Sequence, residues 1–258
     1  MLIVLSPAKS LDLETPFRAR KFSQPEFLPD AKKLVKDLKK LNPDDLSELM
    51  NMSSKLGALN YDRYANWHPP FNKDNARPAI FTFMGDVYQG LEANTFSAAD
   101  LNYAQKHLRI LSGLYGILKP LDLMQPYRLE MGTSLSTNKG DNLYAYWGTK
   151  LTNALNTDLA DEKKKILVNL ASNEYFNAVQ PKDLDATIIT PAFKDFSSGK
   201  YRFLSYYAKQ ARGMMAAFII KNRITSIEKL KEFDTAGYRY SEQDSTDTKL
   251  VFLRKKAS

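Results

Sequence analysis

Between His107 and Gly132 the chain reads HLRILSGLYGILKPLDLMQPYRLEMG, and no other stretch limits its folding so tightly. Gly113 and Gly116 stand three apart, with Leu114 and Tyr115 between them and apolar runs on both sides. Glycine suits such a place because positive φ and close backbone approach exclude a Cβ. The pattern predicts a compact hairpin with uncovered backbone amides, able to hold a phosphate as helix N-termini and amide nests do. A glycine–hydrophobic–x–glycine turn has that job in helix-hairpin-helix DNA-binding modules. On this reading Gly113, Leu114, Tyr115, Gly116 and Lys119 are candidate DNA contacts. The same residues also suit an ordinary glycine-capped connector.

The length of 258 residues allows one large domain or two small ones, and 43% hydrophobic with 12% aromatic content marks a folded chain. Lys and Arg number 37 against 29 acids, a formal charge of +8 that favours polyanionic partners. The absence of cysteine excludes disulfide partners, Cys-ligated zinc and iron–sulfur clusters. His68 and His107 are the only imidazoles and show no metal-site spacing, so neither metal nor cofactor is expected. MLIVLSPAKS lacks the basic and apolar regions of a signal peptide, and no run of 18 apolar residues occurs. A cytoplasmic protein without a membrane partner is expected, acting as a monomer.

LIVL (2–5), AIFTF (79–83), ILVNLAS (166–172) and ATIITPAF (186–193) read as strands, with LRIL (108–111) fitting either strand or helix. Helices are predicted over 30–40, capped by Asp30, from Asn42-Pro43, from Ser97, over 141–159 and over 206–222. A short helix at 226–233 and a closing hairpin of 237–241 with 249–254 follow, then a frayed tail at 255–258. No Gly/Ser-rich linker divides the chain. The fold class is therefore α/β (mixed α+β): a single domain, 1–258, with a mixed sheet and a helix-hairpin-helix-like element.

Residues 191–223 hold seven basic residues against one acid, Asp195, interleaved with seven aromatics. That composition suits a nucleic-acid groove, and equally an amphipathic helix with a solvated face. Lys209 and Arg212, three apart on a predicted helix, point to one side and are candidate DNA contacts. SPAKS (6–10) places Lys9 just beyond a strand's carboxyl end, where ligands of α/β folds often sit. Glu174 also follows a strand, although Asn173-Glu174 equally suits a helix start. Alternation puts Arg128 and Glu130 on one side of an extended segment, as an ion pair or as part of a site. Lys9, Arg128, Glu130 and Glu174 are the catalytic candidates, but no established catalytic signature or dinucleotide fingerprint accompanies them.

SPAKS (6–10), GDVYQGL (85–91), LRILSGLYGILKPLDLMQPYRLEMG (108–132), NLASNEYF (169–176) and YAKQARG (207–213), in that order, resemble the YaaA family of bacterial peroxide-stress proteins. The family pattern often has Thr where this chain has Ser10, and the match is looser at 20–40 and 241–248. The resemblance implies a cytoplasmic protein of the hydrogen peroxide response, associated with restraining unincorporated iron. It also implies DNA binding through a helix-hairpin-helix element and a positive cleft on an unusual α/β fold. The sequence itself speaks against direct iron storage, since it has no Glu-x-x-His pattern. Two readings remain: an accessory protein binding duplex or distorted DNA, and a nucleobase- or nucleoside-processing, glycosidase-like enzyme with Lys9, Arg128, Glu130 and Glu174 lining its pocket.

Overall fold

The strand β1 (Leu2–Leu5) is buried along its whole length, with a strand paired on each edge and core residues packed on its faces. In the computed structural model, which describes residues 1–255, β1 pairs in parallel with β2 (Leu108–Ser112). The hairpin strand β3 (Gly116–Leu118) lies antiparallel to β2. On the other side of β1 come β4 (Ile166–Leu170) and β5 (Thr187–Ile189), both parallel, giving the order β3-β2-β1-β4-β5. Continuous runs such as LIVL fit strands covered on both faces. Arg109, buried in β2, forks onto Asp158 of the helix Lys150–Ala160 at 2.6 and 2.7 Å and ties sheet to helix. Residues 256–258, most of the expected tail, lie outside the described residues.

A second sheet is built from β6 (Ala192–Ser197), β7 (Lys200–Arg202), β8 (Arg239–Ser241) and β9 (Val251–Arg254), in the order β7-β6-β9-β8. Its β8–β9 pair is the expected closing hairpin. Asp195 of β6 is buried against Arg254 at 2.6 Å and Tyr238 Oη at 2.9 Å. One core joins the two sheets and the helices, and no helix among the described residues is long and apolar enough to cross a membrane.

The capping box Ser97/Asp100 and the Asn42 cap before Pro43 form as their sequence predicts, and Asp45 completes a second box with Asn42. Other boundaries differ. AIFTF contains a buried helical turn, Ala79–Thr82, in which Thr82 Oγ1 donates to Pro78 O at 2.8 Å; a short apolar run has no period to separate turn from strand. The first helix begins at Leu28, so Asp30 lies inside it, buried beside Lys150 (2.5 Å) and Lys139 (3.5 Å). Burial acts to raise Asp30's pKa, but the Lys150 hydrogen bond and the lysine charges outweigh it and hold the carboxyl below its ordinary value. The helix expected over 141–159 breaks at Gly148 (φ 50°), and Pro191 divides 186–193 between β5 and β6.

The largest correction concerns the glycine turn. It joins two strands, β2 and β3, where a helix-hairpin-helix was expected. Gly113, Leu114, Tyr115 and Gly116 are all buried, and Tyr115 N already donates to Ser112 Oγ at 2.9 Å. The glycines serve close packing. A Cβ on Gly113 would lie 2.3 Å from Leu129 O, and one on Gly116 (φ 69°) would lie 2.8 Å from Trp147. Gly116→Val combines positive-φ strain with overpacking, so a loss of about 3 kcal/mol is expected, lowering Tm by roughly 6–12 °C. A thermal melt within a degree of wild type contradicts this assignment.

Candidate functional site

The crossover from β1 leads to β2 on one side, whereas β4 leads to β5 on the other. The sheet thus changes direction between β1 and β4, and a crevice opens at their carboxyl ends, the usual ligand position in such sheets. Ser6 and Ser172, one from each loop, lock it together: Ser172 N donates to Ser6 Oγ at 2.8 Å, and Tyr88 Oη donates to Ser6 O at 3.0 Å.

Two further walls complete a cavity of about 410 Å³. The segment Tyr127–Glu130 rests on the glycine turn, with Leu129 pressed on Gly113, and Tyr64 Oη donates to Arg128 O. Opposite it the helix Ser205–Asn222 crosses the helix Asp86–Leu91 at backbone contact. A Cβ on Gly90 would lie 2.0 Å from Gln210 O, and one on Gly213 would lie 1.8 Å from Val87 O. Only glycines permit that crossing, and it carries Lys209 and Arg212 onto the cavity wall.

Four cations and three carboxylates line the cavity: Lys9, Arg128, Lys209 and Arg212 with Asp86, Glu130 and Glu174. Glu130 is shared, with Lys9 Nζ at 2.7 Å and Arg128 Nη2 at 3.3 Å. Lys209 Nζ stands 3.7 Å from Asp86. Glu174 accepts from Gly132 N at 3.0 Å, while its backbone carbonyl accepts from Tyr144 Oη at 2.9 Å. Arg128 Nε is buried with no hydrogen-bond partner. Arg212 has neither an ion pair nor a hydrogen bond among the described residues, and burial pushes its pKa below the usual guanidinium value. Burial raises the phenols of Tyr88, Tyr127 and Tyr175, keeping them neutral at physiological pH. Unanswered guanidinium nitrogens beside accepting carboxylates suit a ligand carrying both an anion and N–H groups. The volume fits a small ligand and excludes a duplex.

Six sequence candidates therefore share one cavity: Lys9, Arg128, Glu130, Glu174, Lys209 and Arg212. Two sets lie elsewhere. Gly113–Gly116 forms a buried support beneath Arg128 and Glu130, and Lys119 follows the antiparallel strand β3 to the opposite end of the sheet. Ser6, Asp86, Tyr88, Tyr127 and Ser172 also line the cavity, and no local sequence pattern marks them. Uncharged or lone residues give no local signal; the strand order that gathers them does.

Removal of a cavity-facing charge and of a scaffold contact should separate in stability. Lys9→Met loses an ion pair whose lysine is 61% exposed, so stability should change by less than about 1 kcal/mol. Tyr64→Phe leaves the Arg128 carbonyl without its buried donor and should cost about 1–2 kcal/mol. Denaturant melts that reverse this order contradict the division.

The family model described as "Peroxide stress protein YaaA" matches residues 1–244. A "UPF0246 protein" of Aliivibrio fischeri is 55% identical over 254 residues, 98% of each chain. A relative of the same description from Saccharophagus degradans is 54% identical over 255 residues, 99% of this chain and 100% of its own. Another from Colwellia psychrerythraea is 53% identical over 257 residues, the whole of both. Identity of this level along the whole chain, together with the family match, shows that the chain belongs to the peroxide stress protein YaaA family.

Proposed function

We propose that this protein acts in the peroxide response by binding DNA with a single nucleotide unit seated in the cavity. The carrying observation is the convergence of Lys9, Arg128, Glu130, Glu174, Lys209 and Arg212 in one space, with Arg212 half-buried and without an ion-pair partner among the described residues. A space of about 410 Å³ admits a nucleotide only after it leaves the helical stack. Extrusion costs least for damaged or mismatched bases, and oxidised bases are among the damage that peroxide chemistry produces. Arg212 and Arg128 hold the phosphate, Glu130 and Glu174 accept from base or sugar donors, and exposed Lys209 follows a neighbouring phosphate. The reading takes the protein as a cytoplasmic monomer.

Fluorescence anisotropy with a duplex carrying one unpaired nucleotide tests this reading. Arg212→Met should weaken binding about 10- to 100-fold, the worth of a hydrogen bond to a charged group, while a fully paired duplex binds more weakly to wild type. Equal affinity for bulged and paired duplexes, or full affinity in Arg212→Met, overturns it.

The presence of Glu130 and Glu174 in one cavity favours a second reading, hydrolysis of a glycosidic bond by water. Glu174 spends one oxygen on Gly132 N, leaving the other for acid–base work on a seated nucleoside. Glu174→Gln should then slow base release from oxidised DNA about 10²- to 10⁴-fold with little loss of affinity. Absence of turnover by wild type on nucleosides, nucleotides and damaged DNA leaves binding alone as the function.

A further inference from the structure

Eight large apolar side chains are exposed among the described residues, and four of them fall between Phe196 and Tyr206. All four are aromatic: Phe203 is 59% exposed, Tyr206 51%, Tyr201 40% and Phe196 39%. Such clustering is unlike the scattered single residues normal on a surface. Phe196 and Tyr201 stand opposite each other in the β6–β7 register, with centroids 5.3 Å apart and planes at 73°. The turn between them is Ser198-Gly199, φ 51° and 80°, the positive pair that a tight two-residue hairpin requires. Phe196 and Tyr201 are thus presented on a short two-stranded arm, with Phe203 just after it and Tyr206 in the first turn of the following helix.

Charge around the rings has one sign. Asp195 is the only acid from Ala192 to Arg223, and it is buried against Arg254. Lys200 and Arg202 are exposed on either side of Tyr201 in β7, alternating to the other face of the strand, and Lys255 Nζ lies 4.9 Å from the Phe196 centroid. Lys194 lies 3.9 Å from Asp244, an acid of the neighbouring loop. Tyr206 then opens the helix whose next turns put Lys209 and Arg212 in the cavity, and Gln210 Nε2 donates to its hydroxyl at 2.9 Å.

We infer that the segment Phe196–Tyr206 is a stacking surface for single-stranded nucleic acid that leads into the cavity. A duplex hides its base faces, whereas an unpaired strand offers them to exposed rings and its phosphates to Lys200, Arg202 and Lys255. The inference rests on the nucleic-acid reading of the cavity for the class of its ligand; the aromatic arm itself is a separate site. Bases flanking an extruded nucleotide stack on Phe203 and Tyr201, and the basic side chains track the backbone.

The test uses the full chain and a labelled oligothymidylate of about ten nucleotides, within the span that single-strand folds occupy. Phe203→Ala and Tyr201→Ala should each weaken binding about fivefold or more, with unchanged thermal stability and salt slope. Tyr61→Ala, an exposed tyrosine elsewhere at 41%, should leave affinity unchanged. Lys200→Ala with Arg202→Ala should reduce the slope of log affinity on log salt by about 1.4. Wild-type affinity in both ring variants overturns the inference, as does binding to phosphatidylserine vesicles with none to the oligonucleotide. Bulged-duplex binding that depends on Arg212 but not on the rings sinks this inference and leaves the cavity reading standing; loss of all nucleic-acid binding by wild type sinks both.

Discussion

The contact between Gly113 and the Leu129–Glu130 backbone sets the rest of the site. Trp147 Nε1 donates to Gly113 O at 3.0 Å and Tyr64 Oη to Arg128 O, so each side of that contact is held by a side chain. Its rigidity fixes Arg128 and Glu130 over the carboxyl ends of β1 and β4. A second close approach, Gly90 and Gly213 at the crossing helices, does the same for Lys209 and Arg212. Long charged side chains become a site only when the backbone beneath them cannot shift.

The cavity's charges are incompletely answered, which separates it from the structural ion pairs. Arg109–Asp158 and Arg254–Asp195 are each closed at 2.6 Å by a carboxylate of their own, although Arg254 Nη2, like Arg128 Nε, is buried without a hydrogen-bond partner. Around the cavity Glu130 is divided between two cations, Asp86 reaches Lys209 only at 3.7 Å, and Arg212 has no carboxylate partner among the described residues. A desolvated guanidinium without a partner costs stability, and proteins keep such groups chiefly where a ligand supplies the missing charge.

Local rules in the sequence reveal much of this. Helix caps at Asn42 and Ser97, the apolar strands and the closing hairpin follow from side-chain chemistry within a few residues. Lys9 and Glu174 stand out because each follows a buried strand, and Lys209 with Arg212 because of helical spacing. What the sequence hides is non-local. The glycine turn satisfies phosphate-binding and packing roles equally until Leu129 is seen against it. AIFTF lacks a period to separate helix from strand, and Asp30 resembles a cap until Lys150, 120 residues away, is placed beside it. Strand order is likewise invisible locally, yet it decides that Lys119 points away from the site while Ser6 and Ser172 meet.

The central claim is that the guanidinium groups at the junction of β1 and β4 receive an anionic nucleotide unit. Arginine side-chain Nε–Hε resonances, followed by NMR during titration with a duplex carrying one unpaired nucleotide, report on each guanidinium separately. Arg212 and Arg128 should shift together and saturate at one Kd, with exposed arginines such as Arg18 and Arg239 moving little. Saturating shifts at surface arginines with Arg212 and Arg128 unmoved would contradict the account.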